Sequence, residues 1–296
     1  MTSHGEMLKF SRRYNPQRVT KRVFIYLALI VIAIGFILPY IWLISSSFKT
    51  VDSFSTHDFQ LIPLNAEGQI YFNFENYVNA WNELQIPTVM LNTFLVCIVN
   101  TVCNLFLNSL AAFAFARIRF CGRDKIFLIC IMSMMVPGCV MLIPNFIIID
   151  AIGLLDSLPA LILPFVMSIY NIFLLRQQFL AIDNDIEDAA RIEGASFFQI
   201  YWRVCMPIVK PMLIVLSITT FMWNYNNYLW PLLVINSPES YTLAISLGNL
   251  MRIGAVDVSM YPVMLAGAVI TSTPMIIIFC VLQKYIIGGT FEGAIK

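Results

Sequence analysis

Four acids crowd into six residues at Asp183, Asp185, Glu187 and Asp188, and Glu193, Arg191 and Arg203 follow close behind. Acids near the start of a helix are stabilised by its positive end, and Asp183, Asn184 and Asp185 are residue types that cap such an end. Ala189 and Ala190 favour a helix and leave one face small, while Gly194 suits the left-handed turn that terminates one. A second helix is expected over residues 196–205, stopped by Pro207 and Pro211. A short helix, small on one face and acidic on another, fits a groove in a partner protein and can transmit force. The same segment also suits a helix lying on a membrane surface, with Phe197, Phe198, Tyr201 and Trp202 in the interface.

A second set of polar residues is neutral. Asn92, Asn100, Asn104 and Asn108 recur at multiples of four, which places them on one slowly drifting helical face. Asn171 stands apart, and Asn224, Asn226 and Asn227 accompany Trp223, Tyr225, Tyr228 and Trp230. Amides and aromatic faces suit sugars, which are uncharged, rich in hydroxyls and apolar across their C–H faces. Asn100, Asn104, Asn108, Asn171, Trp223, Asn224, Asn226 and Asn227 are therefore candidates for a substrate path. The competing reading is that such asparagines fasten neighbouring helices, each for about 1 kcal/mol or less. Tyr and Trp near a membrane boundary also serve as anchors.

The elements that position both sets are apolar helices. The 296 residues are 59% hydrophobic and 12% charged, with a mean hydropathy of +0.79, which describes an integral membrane protein. Six windows, at 23–48, 88–116, 126–149, 158–175, 211–235 and 260–283, hold no Asp, Glu, Lys or Arg. Each is about long enough to cross a hydrocarbon core of about 30 Å at 1.5 Å per residue. The first follows a polar start with Lys9, Arg12, Arg13, Arg18, Lys21 and Arg22 and exceeds a signal-peptide core, so it is expected to be retained.

Of the 18 Lys and Arg residues, only Lys49 and Arg252 fall outside the cytosol when the N-terminus is placed inside. The expected fold is all-α with six transmembrane helices, cytosolic N- and C-termini and a cytosolic helix between spans four and five. Residues 1–22 form a basic tail, 23–287 one transmembrane domain and 288–296 a second tail. Prolines within the spans, Pro39, Pro137, Pro144, Pro164, Pro231 and Pro274, are candidate kinks, tolerated in membrane helices or used as hinges.

Several chemistries have no support. The seven cysteines include no CxxC pair and read as buried, inert thiols, and His4 and His57 lie in unrelated segments, so no metal site is expected. No GxxxxGK loop exists to cradle nucleotide phosphates, and neither HExxH nor any other catalytic constellation is found. An ion-coupled secondary transporter is the rival from another class, disfavoured because the spans carry no ionisable group to move protons.

The charged loop resembles the EAA loop of bacterial ABC importer permeases, whose pattern is E-A-A, three residues, G, nine residues, then I-x-L-P. Asp188-Ala189-Ala190, Gly194 and Val204-Cys205-Met206-Pro207 keep every spacing, with Asp for Glu, Val for Ile and Met for Leu. Further strings resemble the carbohydrate-importer branch, in particular its smaller maltose permease subunit. They are Ser47-Phe48-Lys49, Phe74-Glu75-Asn76-Tyr77, the run from Asn108 to Ala114, Met135-Val136-Pro137-Gly138 with Leu142-Ile143-Pro144, Trp223-Asn224 with Leu229-Trp230-Pro231, and Gly288-Gly289.

The resemblance implies a non-catalytic, multi-pass permease of the bacterial cytoplasmic (inner) membrane, surrounded by lipid and importing a sugar or oligosaccharide by alternating access. Glu187, Asp188, Ala189, Ala190, Glu193, Gly194, Val204 and Pro207 would couple it to a cytosolic ATPase dimer, which alone holds ATP and magnesium. The tail Gly293-Ala294-Ile295-Lys296 would reach that dimer as well. Further implied partners are a second homologous permease, completing a heterodimer, and an extracytoplasmic solute-binding protein that delivers the carbohydrate. No cofactor on this chain and no nucleic acid are expected.

Overall fold

A computed structural model describes residues 16–56, 61–64 and 67–292. His4, His57 and the tail residues Gly293 to Lys296 lie outside the described residues. Among the described residues the secondary structure is helical apart from one isolated bridge between Leu64 and Ile70.

The chain opens with α1 (Pro16–Ser47), continuous through Pro39, then the short α2 (Val51–Thr56) and α3 (Glu75–Glu83). The next helix, α4 (Ile86–Arg117), has 32 residues and so spans about 48 Å. It starts where Gln85 takes a left-handed conformation (φ 51°), ahead of Pro87 in the first turn. Such a start suits a residue whose N–H would be orphaned anyway.

The third apolar window is no single rod. It divides into α5 (Arg123–Ser133) and α6 (Leu142–Ala151), joined through a 3₁₀ turn at Gly138–Met141 and bent by 94°. Pro137 sits at the break in an extended conformation, lacking the N–H that would continue the ladder. The fourth window is likewise broken, into α7 (Leu158–Ile162) with a 3₁₀ turn at Leu163–Phe165, then α8 (Ile169–Leu180), at 46°. Of the six prolines named as kinks, Pro137 and Pro164 therefore lie at bends, whereas α1 and α15 run through Pro39 and Pro274.

After α8 come α9 (Asn184–Ile192), α10 (Phe197–Gln199), a π-helical turn at Ile200–Cys205 and α11 (Met206–Ile208). Helical geometry thus runs from Phe197 to Ile208 and stops at Val209, two residues before Pro211. Pro207 does not end it as expected, because it occupies a first-turn position where its missing N–H costs nothing.

The fifth window becomes α12 (Lys210–Tyr225) and α13 (Leu229–Val234), separated at Asn226 to Tyr228, rather than one continuous helix. The stretch between the fifth and sixth windows, residues 236–259, contains the 14-residue α14 (Leu243–Val256), and α15 (Tyr261–Glu292) is the last described helix.

Helix α4 is the axis of the bundle, packed along α8 and α12, while α15 lies against α1, α3, α12 and α14. Three apolar clusters hold these contacts. One joins α4 and α8 to the loop segment through Phe113, Phe179, Ile200 and Tyr201; another joins α3, α4, α14 and α15; the third joins α4 to α6, α7 and α13 around Trp230. Polar staples fix the end remote from the loop. Asp156, held at φ 59°, accepts from the backbone N–H groups of Asn236 and Ser237 and from the Ser237 hydroxyl. These donors hold its carboxyl below the usual carboxylate range. Asn92 donates to the carbonyls of Glu239 and Tyr241, and the Leu243 N–H donates to Thr93 Oγ1.

Candidate functional site

The loop folds as its residue types require. The Asp183 carboxylate accepts from the Asp185 N–H and caps α9. Ser196 and Gln199 form a reciprocal capping box at the start of the following helix. Gly194 takes φ +84°, the conformation that suits glycine, and a Cβ built there meets nothing within 4 Å. The need for glycine is conformational, then, and the space beside the turn is open.

Helix α9 has two unlike faces. Asp188, Ala189, Glu193 and Gly194 are exposed, and Ile192 is 88% exposed. Ala190 turns inward onto the cluster around Phe179. Glu187, one of the residues grouped as coupling to an ATPase, does the same and does not share the exposed face. It is buried because Arg117, at the end of α4, offers it an ion pair of 2.8 Å, with only 7% and 5% of the two side chains exposed. Low dielectric strengthens such a pair, and leaving either charge alone there is costly.

Arg117 makes further contacts that sequence reasoning missed. Its guanidinium donates to the carbonyls of Phe179 and Ile182 and to Asn184 Oδ1, so it ties the end of α8 to the start of α9. Cys205, on the π-helical turn, lies 3.6 Å from Glu187 Oε1. Burial, then the neighbouring carboxylate, push its thiol up to about 12, so it stays protonated and donates. Tyr201, expected at a membrane surface, is instead buried against Phe113 and shares a 2.8 Å hydrogen bond with Ser109 of α4. Phe197, Phe198 and Trp202 are exposed as that reading required. Val204 is half-buried and Pro207 exposed. Arg117 directly abuts an apolar window, but so do Arg22, Lys49, Lys125, Arg176, Lys210 and Lys284, so no spacing in the sequence singled out the junction.

The asparagines divide. Asn104 donates to the Phe165 carbonyl and its oxygen accepts from Asn108 and Asn171, at 2.6 and 2.8 Å. Asn100 donates to the Ile162 carbonyl and accepts from Asn224, and Asn108 accepts from the Ser168 N–H. The stripe therefore satisfies backbone groups freed where the fourth window breaks, between α7 and α8. Part of it also borders a cavity of about 350 Å³, lined by Asn100, Asn104, Phe165, Asn171, Thr220 and Trp223. No charged side chain lines it, and Trp223 and Tyr170 at its mouth are about half exposed. Its chemistry suits an uncharged ligand with hydroxyls and an apolar face.

Asn108 and Asn224 are buried and do not line this cavity, and neither do Asn226 and Asn227. Asn226 bonds its own helix at the Met222 carbonyl and borders a separate cavity of about 790 Å³ between α1, α12, α14 and α15. Tyr225 and Trp230 are core residues, bonded to the carbonyls of Thr271 and Ala160. The expectation that all cysteines are buried is also corrected. Cys97 and Cys205 are buried, whereas Cys121, Cys139 and Cys280 are exposed, the first in the turn before α5 and the last on an outward face of α15.

Comparison with known proteins matches residues 106–289 to a family described as binding-protein-dependent transport system inner membrane component. The arabinooligosaccharides transport system permease AraQ of Bacillus subtilis is 31% identical over 286 residues, covering 96% of this chain and 99% of that one. The lactose transport system permease LacG of Rhizobium radiobacter is 27% identical over 263 residues, covering 88% and 91%. Among solved structures, a chain of a bacterial ABC transporter involved in the import of the acidic polysaccharide alginate aligns with a TM-score of 0.80 and 25% identity, covering 92% of this chain and 98% of its own. A chain from a bacterial alginate ABC transporter in complex with an alginate pentasaccharide-bound periplasmic protein shares the fold at a TM-score of 0.63 and 14% identity.

Proposed function

This chain belongs to the family of binding-protein-dependent transport system inner membrane components, and we propose that it is a sugar-importing permease driven through α9 by a separate cytosolic ATPase. The observation that carries the reading is the exposed face of α9, with Asp188, Ala189 and Ile192 turned away from the apolar bundle and Gly194 ending the helix in open space. An apolar residue beside an acid and a small residue on one exposed helical face is a surface of the kind that fits a groove in a partner.

The chain crosses the bacterial cytoplasmic membrane six times within residues 23–287, with the bent helix pairs counted as single spans and both termini in the cytosol. Bends are compatible with such spans because protein packing and side chains re-satisfy the freed backbone groups, as Asn100, Asn104 and Asn108 do at the break before α8. A second, homologous permease covers the open mouth at Trp223 and Tyr170, and an extracytoplasmic solute-binding protein delivers the substrate. ATP and magnesium bind only on the ATPase dimer.

In this reading Asn100, Asn104, Asn171, Trp223 and Asn224 line or support the path, and the absence of charge around it selects an uncharged sugar or oligosaccharide. ATP binding closes the ATPase dimer and pulls α9, so that the cavity opens outward, and hydrolysis resets it. Transport follows from the free-energy difference between these two states. The decisive experiment is reconstitution of the complete transporter in proteoliposomes without an ion gradient. Uptake that requires internal ATP and is lost in an inserted Gly194→Leu variant supports the proposal. Uptake that needs an ion gradient and ignores ATP establishes the secondary-transporter reading instead.

A further inference from the structure

The junction around Arg117 has a geometry beyond what fastening a loop requires. One guanidinium, at the last residue of α4, bonds the Phe179 carbonyl in the last turn of α8, the Ile182 carbonyl just beyond that helix, the first residue of α9 through Asn184, and the inward face of α9 through Glu187. All three helices thus meet on a rigid planar fork, a geometry that lysine cannot reproduce. Glu187 is shared in turn by Arg191 at 3.9 Å and by Cys205 of the π-helical turn. The buried Tyr201–Ser109 bond ties that turn to α4 a second time. The same α4 carries Asn104 and Asn100 on the cavity wall, about 20 and 26 Å from Arg117 at 1.5 Å per residue.

We propose that Arg117, locked by Glu187, is the positioning residue that makes α9 and α4 move as one body, so that displacement of the loop helix is delivered along α4 to the asparagine cavity. The inference rests on the docking reading above and adds the route by which force travels. A continuous helix with no proline between Pro87 and Arg117 is stiff enough to carry such a displacement. The charge pair sits where the apolar windows end, so the route enters the bundle without placing a charge among the neutral asparagines.

The test is the number of sugar molecules moved per ATP hydrolysed by the complete reconstituted transporter. Glu187→Gln keeps the shape and an acceptor but removes the charge, whereas Arg117→Lys keeps the charge but loses the fork. In both variants the ratio is expected to fall about 10-fold, the scale of a lost coupling free energy. An unchanged ratio in either assembled variant overturns the proposal. So does loss of ATPase binding in both while the chain's thermal melting is retained, because Arg117 would then merely hold the loop for docking. Photo-crosslinking from Ile192 to the ATPase is measured in parallel. If that crosslink is absent from the wild-type complex, the docking reading itself fails; if it is present and the ratio is unchanged, only the role of Arg117 fails.

Discussion

Two of the polar fastenings of helix α4, one at its middle and one at its last residue, are built from different chemistry. Its middle uses amides: Asn100, Asn104 and Asn108 reach the broken fourth window and Asn224 without a single charge. Its last residue uses an ion pair, Arg117 with Glu187, plus three further charge-assisted bonds. A charge in the middle of the hydrocarbon is costly, whereas amides can trade partners there at modest energy. At the end of the bundle a buried pair is affordable, but it becomes unforgiving once half of it is removed. The neutral fastening is therefore the more adaptable of the two, while the charged one holds its elements rigidly together.

Substitutions that break this contrast should differ in size. Arg117→Met leaves Glu187 buried without a partner and is expected to cost about 3–5 kcal/mol, read as a fall in the thermal midpoint of the purified chain in detergent. A midpoint near that of the wild type would mean that the pair is not buried. Asn104→Leu removes three amide bonds, at about 0.6 kcal/mol each in a membrane bundle, so a loss near 2 kcal/mol is expected in the same measurement. If Asn104→Leu proves as damaging as Arg117→Met, the contrast between the two fastenings disappears.

Gly194→Leu forces a side chain into the left-handed region at about 1 kcal/mol and has no internal clash to add. It should melt close to the wild type while losing uptake, so equal loss of fold and function would remove the reason to assign the turn to docking. Asn226→Ala is expected to change stability by less than about 0.5 kcal/mol and to leave sugar uptake intact, because its bond lies within its own helix and outside the asparagine cavity. A change in sugar selectivity would move the path toward the larger cavity.

Much of the loop was legible in the sequence because local rules set it. Asp183 is the cap that its type implied, Gly194 has the positive φ that its place after the helix required, and α1, α4 and α15 cover the expected first, second and sixth windows. What stayed hidden depends on distant neighbours. Glu187 reads as one more exposed acid until Arg117, 70 positions earlier, is brought beside it. The asparagine stripe was legible as a face, but its partners are backbone carbonyls of a broken helix that no spacing reveals. Helix α14 falls between the fifth and sixth windows, where no membrane helix was expected, since its 14 residues fall short of a crossing.

The central claim is that the outward face of α9 meets the ATPase, and a photoreactive phenylalanine analogue at Ile192 tests it most directly. In the assembled, transporting complex the account expects illumination to join this chain to the ATPase, with no such product from the same probe at the buried Ile182. A complex that transports in an ATP-dependent manner yet gives no ATPase crosslink from Ile192 would contradict it.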